Sequence, residues 1–264
     1  MFAFGGLLWA IFNWRAKAQR ENLLKAPLAP EYIDILVSSV PLYNRMPHEM
    51  QTTLHGCINY FLAQKVFVGC DGFAITDEVR LTIAGNACIL VLNRQKKYFP
   101  GFESILVYPE TYFAKQVRYD GMVEIHEDSA RAGESWHRGP LVLSWSDVCS
   151  GSQSENDGHN VILHEFAHKL DEENNLMDGL PILREAAHYK EWASVLTKEY
   201  AEFLRRAQRG NNDVIDEYGA VSAVEFFAVA TESFFEKSAR MKEKLPDLYL
   251  QFKTFYGLDP AHWN

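Results

Sequence analysis

The spacing of apolar positions changes character twice along the chain. Over residues 31–65 apolar side chains recur at helical intervals, with Ile35 and Leu36 early and Leu54, Ile58 and Phe61 later. That spacing puts one face of a helix against a core. Pro41 and Pro47 interrupt it, so two helices are expected. The run LTIAGNACILVLN (81–93) is apolar and β-branched, and reads as a buried strand. ESILVYPETYF gives a second strand, ended by Pro109. GPLVLSWSDV gives a third, in which Leu141, Leu143 and Trp145 alternate with Val142, Ser144 and Ser146. The polar stretch SGSQSENDGHN is expected to be a loop. From Val161 onward the pattern is mostly helical, broken near MDGLP and RGNND. The class is therefore α+β: a small sheet with helices, then a helical half.

At 264 residues, 47% of them hydrophobic, the chain is long enough to bury a substantial core. The net charge of −9 gives no bulk electrostatic reason to bind nucleic acid. Cys57, Cys70, Cys88 and Cys149 form no CxxC pair and no histidine cluster at metal-finger spacing. They suit a reducing compartment and small buried apolar roles. The expected location is cytoplasmic. No internal repeat or low-complexity stretch is present.

Residues 2–14 carry no charge, and Arg15, Lys17 and Arg20 follow. A signal peptide would place its basic residues before the apolar run, and the run is short of the about 20 residues that cross a bilayer. It is read as a terminal helix packed on the domain. The alternatives are an interfacial membrane anchor with aromatic rings at the headgroups, giving weak membrane association through residues 2–14, and a cleaved export segment. The division expected is a terminal apolar and basic segment over 1–30 and one domain over 31–264.

Candidate chemistry lies in NVILHEFAHKLDEENN. His164 and His168 are four residues apart, so on a helix they share a face about one turn apart. Glu165 is rotated roughly 100° from His164, which places it beside a metal-held water and not on the metal. A chance match to H-E-x-x-H in a chain of this length is roughly a one-in-a-hundred event, so a third ligand is needed to support a metal site. Catalytic zinc keeps three protein ligands and one open position. No histidine follows His168 where a third would continue the motif. The candidates are carboxylates in YGAVSAVEFFAVATESFFEKS: Glu225, Glu232 and Glu236. Glu225 also fits a capping box with Ser222, and the two readings compete for one carboxylate. Glu232 lies in an apolar stretch and needs a partner. Asp171 shares the histidine face and is a candidate acceptor for a ligand imidazole, with a solvated helix-end acid as the alternative. Residues 141–144, upstream of the motif, are a candidate edge strand for an extended peptide, the alternative being an ordinary core strand.

HEFAHKLD, a tyrosine, and VEFFAVATESFF, together with GFESILVYPETY and ESWHRGPLVLSWSDV in the same order, make the chain resemble the Mlc titration factor A family of zinc peptidases. More distantly it is similar to the catalytic domain of anthrax lethal factor. The resemblance runs over roughly residues 42–259 and implies a zincin-like fold with one zinc per chain. It also implies that the third ligand is the glutamate seven residues after an active-site tyrosine, here Glu225 after Tyr218. The implied metal set is His164, His168 and Glu225, with Glu165 as general base and Tyr218 as oxyanion donor. The implied activity is aminopeptidase-like hydrolysis of small peptides. The resemblance further implies that members bind an Mlc-type, glucose-responsive transcriptional repressor. The apolar run at the N-terminus departs from the family pattern.

Overall fold

The computed structural model describes residues 2–94, 98–110, 112–120, 123–131, 133–135, 139–153, 157–210 and 214–263. The chain opens with α1 (Phe2–Lys25). Prolines then set the helix starts: α2 (Pro30–Ser39) and α3 (Pro41–Arg45) each carry Pro in the first turn, and α4 (His48–Gln64) follows Pro47. A missing N–H costs nothing at a helix start. The expected helical stretch, broken at Pro41 and Pro47, is therefore present, as three helices and not two, because Pro41–Arg45 forms a short helix of its own.

After β1 (Val66–Gly69) comes α5 (Asp77–Val91), where residues 81–93 were expected to form a strand. The helix is buried almost without interruption from Leu81 to Val91. A helix packed on all sides has no polar face, so its apolar run imitates a buried strand. Its start is nevertheless marked: Thr76 accepts from the Val79 amide, with Asp77 and Glu78 in the first turn.

The sheet follows with β2 (Ser104–Tyr108), the antiparallel hairpin β3 (Tyr112–Asp120) and β4 (Val123–Arg131), then β5 (Gly133–Ser135) and β6 (Leu141–Ser144). One sheet has the order β1-β2-β6-β5. Its first three strands are parallel, and β5 runs antiparallel to β6. Two of the expected strands are therefore present. However, β6 is an inner strand, paired with β2 on one side and β5 on the other, and all four of its residues are buried. Leu141 to Leu143 are paired on both sides and have no open edge to offer a peptide.

The helical half comprises α6 (Trp145–Gln153), α7 (Val161–Asp171), α8 (His188–Ala207), α9 (Ala223–Glu236), α10 (Ser238–Lys244) and α11 (Pro246–Tyr256). The breaks at MDGLP and RGNND fall where expected, although 211–213 lie outside the described residues, as do 154–156 of the expected loop, whose residues 150–153 belong to α6. The molecule is α+β. One apolar cluster runs from Leu28 to Trp263, and the cysteines are free thiols. Helix α7 lies inside this cluster. Its Phe166 is fully buried, with ring centroids 4.7 Å from Phe99, 5.8 Å from Phe61 and 5.9 Å from Phe102. That aromatic packing fixes the rotation of α7, and with it the direction in which the opposite face points.

Candidate metal centre

Helix α7 begins on Asn160, whose side-chain oxygen accepts from the Leu163 amide at 3.1 Å. His164 and His168 project from one side of the helix, as their spacing requires, with ring centroids 4.8 Å apart. Helix α9 packs against α7 and begins on Ser222, which accepts from the Glu225 amide at 3.1 Å. The competition over Glu225 is thereby resolved. Its backbone is capped by Ser222, while its carboxylate reaches the histidines.

The start of α9 is also fixed from the other side. Gly179 donates its amide to Asp171 Oδ2 at 2.8 Å, and its φ of +77° is in the left-handed region. A Cβ there would fall 2.7 Å from the Ala223 carbonyl oxygen, so only glycine lets this turn join the end of α7 to the first turn of α9.

Three ligand atoms converge. His164 Nε2 lies 3.0 Å from Glu225 Oε2, His168 Nε2 lies 3.4 Å from the same oxygen, and the two Nε2 atoms are 3.1 Å apart. Among the described residues these three side chains form the one cluster of this kind, with ligand atoms within 4.8 Å of one another. The tautomer of His164 follows from its other nitrogen. Nδ1 is 2.8 Å from Glu232 Oε1, a carboxylate that can only accept, so Nδ1 carries the proton. Nε2 of the neutral ring therefore presents a lone pair to a carboxylate oxygen and to a second imidazole. Three electron-pair donors facing one another need a cation between them. A proton answers this only in part. Burial opposes a charge on His164, but the hydrogen bonds with Glu225 and Glu232 outweigh it and hold the ring well above the ordinary histidine range. Burial likewise opposes the charge on Glu225, and the two histidines hold it well below the carboxylate range.

A divalent ion also fits. Ligand distances of about 2.0–2.2 Å in tetrahedral geometry put neighbouring ligand atoms about 3.3–3.6 Å apart, and the observed separations of 3.0, 3.1 and 3.4 Å come within a few tenths of an ångström of that spacing. His₂Glu is a donor set of catalytic zinc with one position left open.

Glu165, adjacent in sequence, is 4% exposed, and its Oε2 has no hydrogen-bond partner among the described residues. Burial raises its pKa, against the pull of His164 and His168. Tyr218 sits in the short 3₁₀ turn Glu217–Ala220, which Asp216 caps through the Tyr218 amide. Its ring centroid is 5.9 Å from that of His164, and the side chain is 54% exposed. All five expected site residues are thus brought to one place.

Of the two carboxylates considered as partners of the site, Glu232 and not Asp171 accepts from a ligand imidazole. Glu232 takes His164 Nδ1 on one oxygen and the Asn160 amide on the other, at 2.6 Å. It thereby ties the start of α7 to its first metal-directed ring. Asn160 also donates through Nδ2 to Asn86 (3.1 Å) and Glu236 (3.2 Å). Asp171 instead accepts from Gly179, and burial lifts its pKa to about 6. The signal for Glu232 was a carboxylate in an apolar stretch seven residues after Glu225, hence on the same helical face.

Comparison with known proteins agrees with this geometry. Residues 12–257 match the model of a family described as glucose-regulated metallo-peptidase M90. An uncharacterized protein of Synechocystis sp. is 40% identical over 250 residues, covering 94% of this chain and 90% of that protein. Mlc titration factor A of Escherichia fergusonii is 31% identical over 253 residues (94% and 91%), and that of Cronobacter sakazakii 30% over 254 residues (95% and 93%). The match takes in α7, α9 and the turn bearing Tyr218, and the chain belongs to the glucose-regulated metallo-peptidase M90 family.

Proposed function

We propose that the protein is a zinc-dependent peptidase with a zincin-like site, aminopeptidase-like and acting on small peptides. The observation that carries this reading is the convergence of His164 Nε2, His168 Nε2 and Glu225 Oε2 at 3.0–3.4 Å beside a buried, unpartnered Glu165 oxygen. His164, His168 and Glu225 would hold one zinc ion per chain. Zinc there would supply Lewis acidity, making water a competent nucleophile near neutral pH.

The protein's own groups do the rest. Glu165 receives the proton of the attacking water and passes it to the departing amine. Its burial suits that exchange, because a carboxylate whose pKa is raised is the stronger base for the water proton. Tyr218 offers its phenol O–H to the oxygen that becomes negative as the carbonyl is attacked. Its exposure beside His164 favours contact with substrate over a role in the core. Glu232 holds His164 in the tautomer that leaves Nε2 unprotonated.

The test is hydrolysis of a peptide library by zinc-loaded protein, repeated after chelation and after restoring zinc. Cleavage that disappears and returns supports the reading, and cleavage unaffected by chelation rejects it. A second reading rests on the name borne by the Escherichia and Cronobacter relatives. In that reading the chain, in the cytoplasm, titrates a transcriptional repressor of the Mlc type, with hydrolysis secondary. Binding of such a repressor by a hydrolytically dead Glu165→Gln chain would support it.

A further inference from the structure

Within α1, residues 12–17 and the C-terminal part differ in what surrounds them. Its C-terminal part is seated on the domain. The Leu24 backbone passes so close to Gly56 that a Cβ there would lie 2.0 Å from the Leu24 carbonyl oxygen. Just past the helix, the Ala26 carbonyl accepts from Asn59 Nδ2 at 3.0 Å. The Arg20 guanidinium lies over the rings of Tyr60 (5.3 Å) and Tyr98 (5.7 Å). Residues 12–17, by contrast, are exposed one after another. Six consecutive exposed residues cover more than a turn and a half, so no face of this segment rests on the domain. Phe12 is 72% exposed and Trp14 70%.

Such a segment is poorly suited to water. Residues 2–14 carry no charge, and eight of the thirteen are Phe, Leu, Ile or Trp. On a helix these positions occupy about two thirds of the circumference. A helix that apolar belongs in a core or a membrane, and at residues 12–17 the domain does not cover it. The uncharged stretch is about 20 Å long, against a hydrocarbon core of about 30 Å. Among the described residues no helix is long and apolar enough to cross a membrane.

Charge then selects the surface. Residues 1–25 carry Arg15, Lys17, Arg20 and Lys25 against Glu21, a local excess of cations in a chain of net charge −9. A tryptophan followed by cations is the composition found at the headgroup level of anionic leaflets. The family match begins at residue 12, so most of the apolar stretch lies outside what the family model covers.

We propose that residues 2–17 are a monotopic anchor that enters one leaflet of an anionic bilayer, with Trp14, Arg15 and Lys17 at the headgroups and the metal-site domain held outside. The anchor is independent of the peptidase reading, and its test does not use activity.

The full chain is sedimented with vesicles of phosphatidylcholine alone, and with vesicles of three parts phosphatidylcholine to one part phosphatidylglycerol. The expected result is strong binding to the mixed vesicles and weak binding to the neutral ones. Arg15→Ala with Lys17→Ala should lower partitioning about 25-fold, at about fivefold per cation. Phe12→Glu with Trp14→Glu should abolish it, and so should deletion of residues 2–14. Circular dichroism checks that each variant is folded. Equal binding by the Phe12→Glu, Trp14→Glu chain overturns the proposal, as does failure of the full chain to bind mixed vesicles. Light scattering that finds a dimer dissolved by the deletion, without vesicle binding, assigns the helix to a second copy and also overturns it.

Discussion

Replacing Glu232 with glutamine changes one atom and removes the charge, yet the geometry makes the consequence specific. The carboxylate is 5% exposed and accepts two hydrogen bonds, from the Asn160 amide at 2.6 Å and from His164 Nδ1 at 2.8 Å. Glutamine offers only one acceptor oxygen at the same place. If that oxygen stays with Asn160, the new NH₂ faces His164 Nδ1. The imidazole then moves its proton to Nε2, the atom that faces Glu225 and His168, and it can no longer ligate through that atom. If the oxygen turns to His164 instead, the NH₂ opposes the buried Asn160 amide at the first turn of α7. A charge-assisted hydrogen bond contributes about 1.5–3 kcal/mol against about 0.5–1.5 kcal/mol for the neutral one that glutamine keeps, and an unpaired buried donor costs about 1–3 kcal/mol. The expected loss of stability is therefore about 2–4 kcal/mol, together with a loss of zinc affinity of about 10–100-fold. Zinc affinity is measured by competition with a chromophoric chelator, and stability by urea denaturation of the metal-free protein. Glu236→Gln serves as the control. Glu236 touches Asn160 Nδ2 at 3.2 Å, so this change should cost stability with little effect on zinc. Unchanged zinc affinity in Glu232→Gln would refute the orienting role.

Other outcomes follow from the packing and capping. Phe166→Ala should cost about 3–5 kcal/mol, because the ring is fully buried among Phe61, Phe99 and Phe102. Denaturation midpoints measure it, and a cost under about 1 kcal/mol would contradict the view that this aromatic group sets the rotation of α7. Ser222→Ala should destabilise by about 1 kcal/mol, while Ser222→Asp should be nearly neutral, since both serine and aspartate accept from the helix amide. Thermal melts separate the two. Asp259 accepts from Tyr249 and Lys253 at 2.6 Å and lies 3.0 Å from His262 Nδ1. Burial opposes its charge, but these partners prevail and hold its pKa at about 2, below the ordinary 3.8. A depressed folded-state value contributes stability above the unfolded pKa, and that contribution is lost as pH falls through the folded one. Asp259→Asn should therefore cost about 2 kcal/mol at pH 7 and progressively less from pH 5 toward pH 3; a cost independent of pH would contradict this.

The sequence carried the site better than it carried the sheet. His164 and His168 announce themselves because a four-residue interval on an amphipathic helix can only mean one face. Glu225 could not be separated from a capping glutamate by spacing alone, since Ser222 and Glu225 satisfy the capping pattern, and the resemblance to a known family decided for it. The structure shows why both readings had force: the amide is capped while the carboxylate turns to the histidines. Helix α5 was misread because complete burial erases the polar face that distinguishes helix from strand, although Thr76, Asp77 and Glu78 marked its start. The inner position of β6 was not legible, because pairing partners are set by tertiary arrangement and not by alternation along one strand. Asp171 shares the histidine face in sequence, but the Gly179 turn claims it. Glu232 comes from a helix 68 residues on from His164, a separation that local pattern does not register. Residues 12–17 show the reverse case: expected within a helix packed on the domain, they are exposed one after another.

The most direct test of the central claim pairs two readings on one variant, Glu165→Gln. Metal analysis should find one zinc per chain in both wild type and variant, because Glu165 is not among the converging ligand atoms. Peptide hydrolysis should fall by at least about 100-fold in the variant, as expected when a general base is removed. Full zinc with lost hydrolysis is the predicted result. Hydrolysis that survives the substitution with zinc in place would contradict the account.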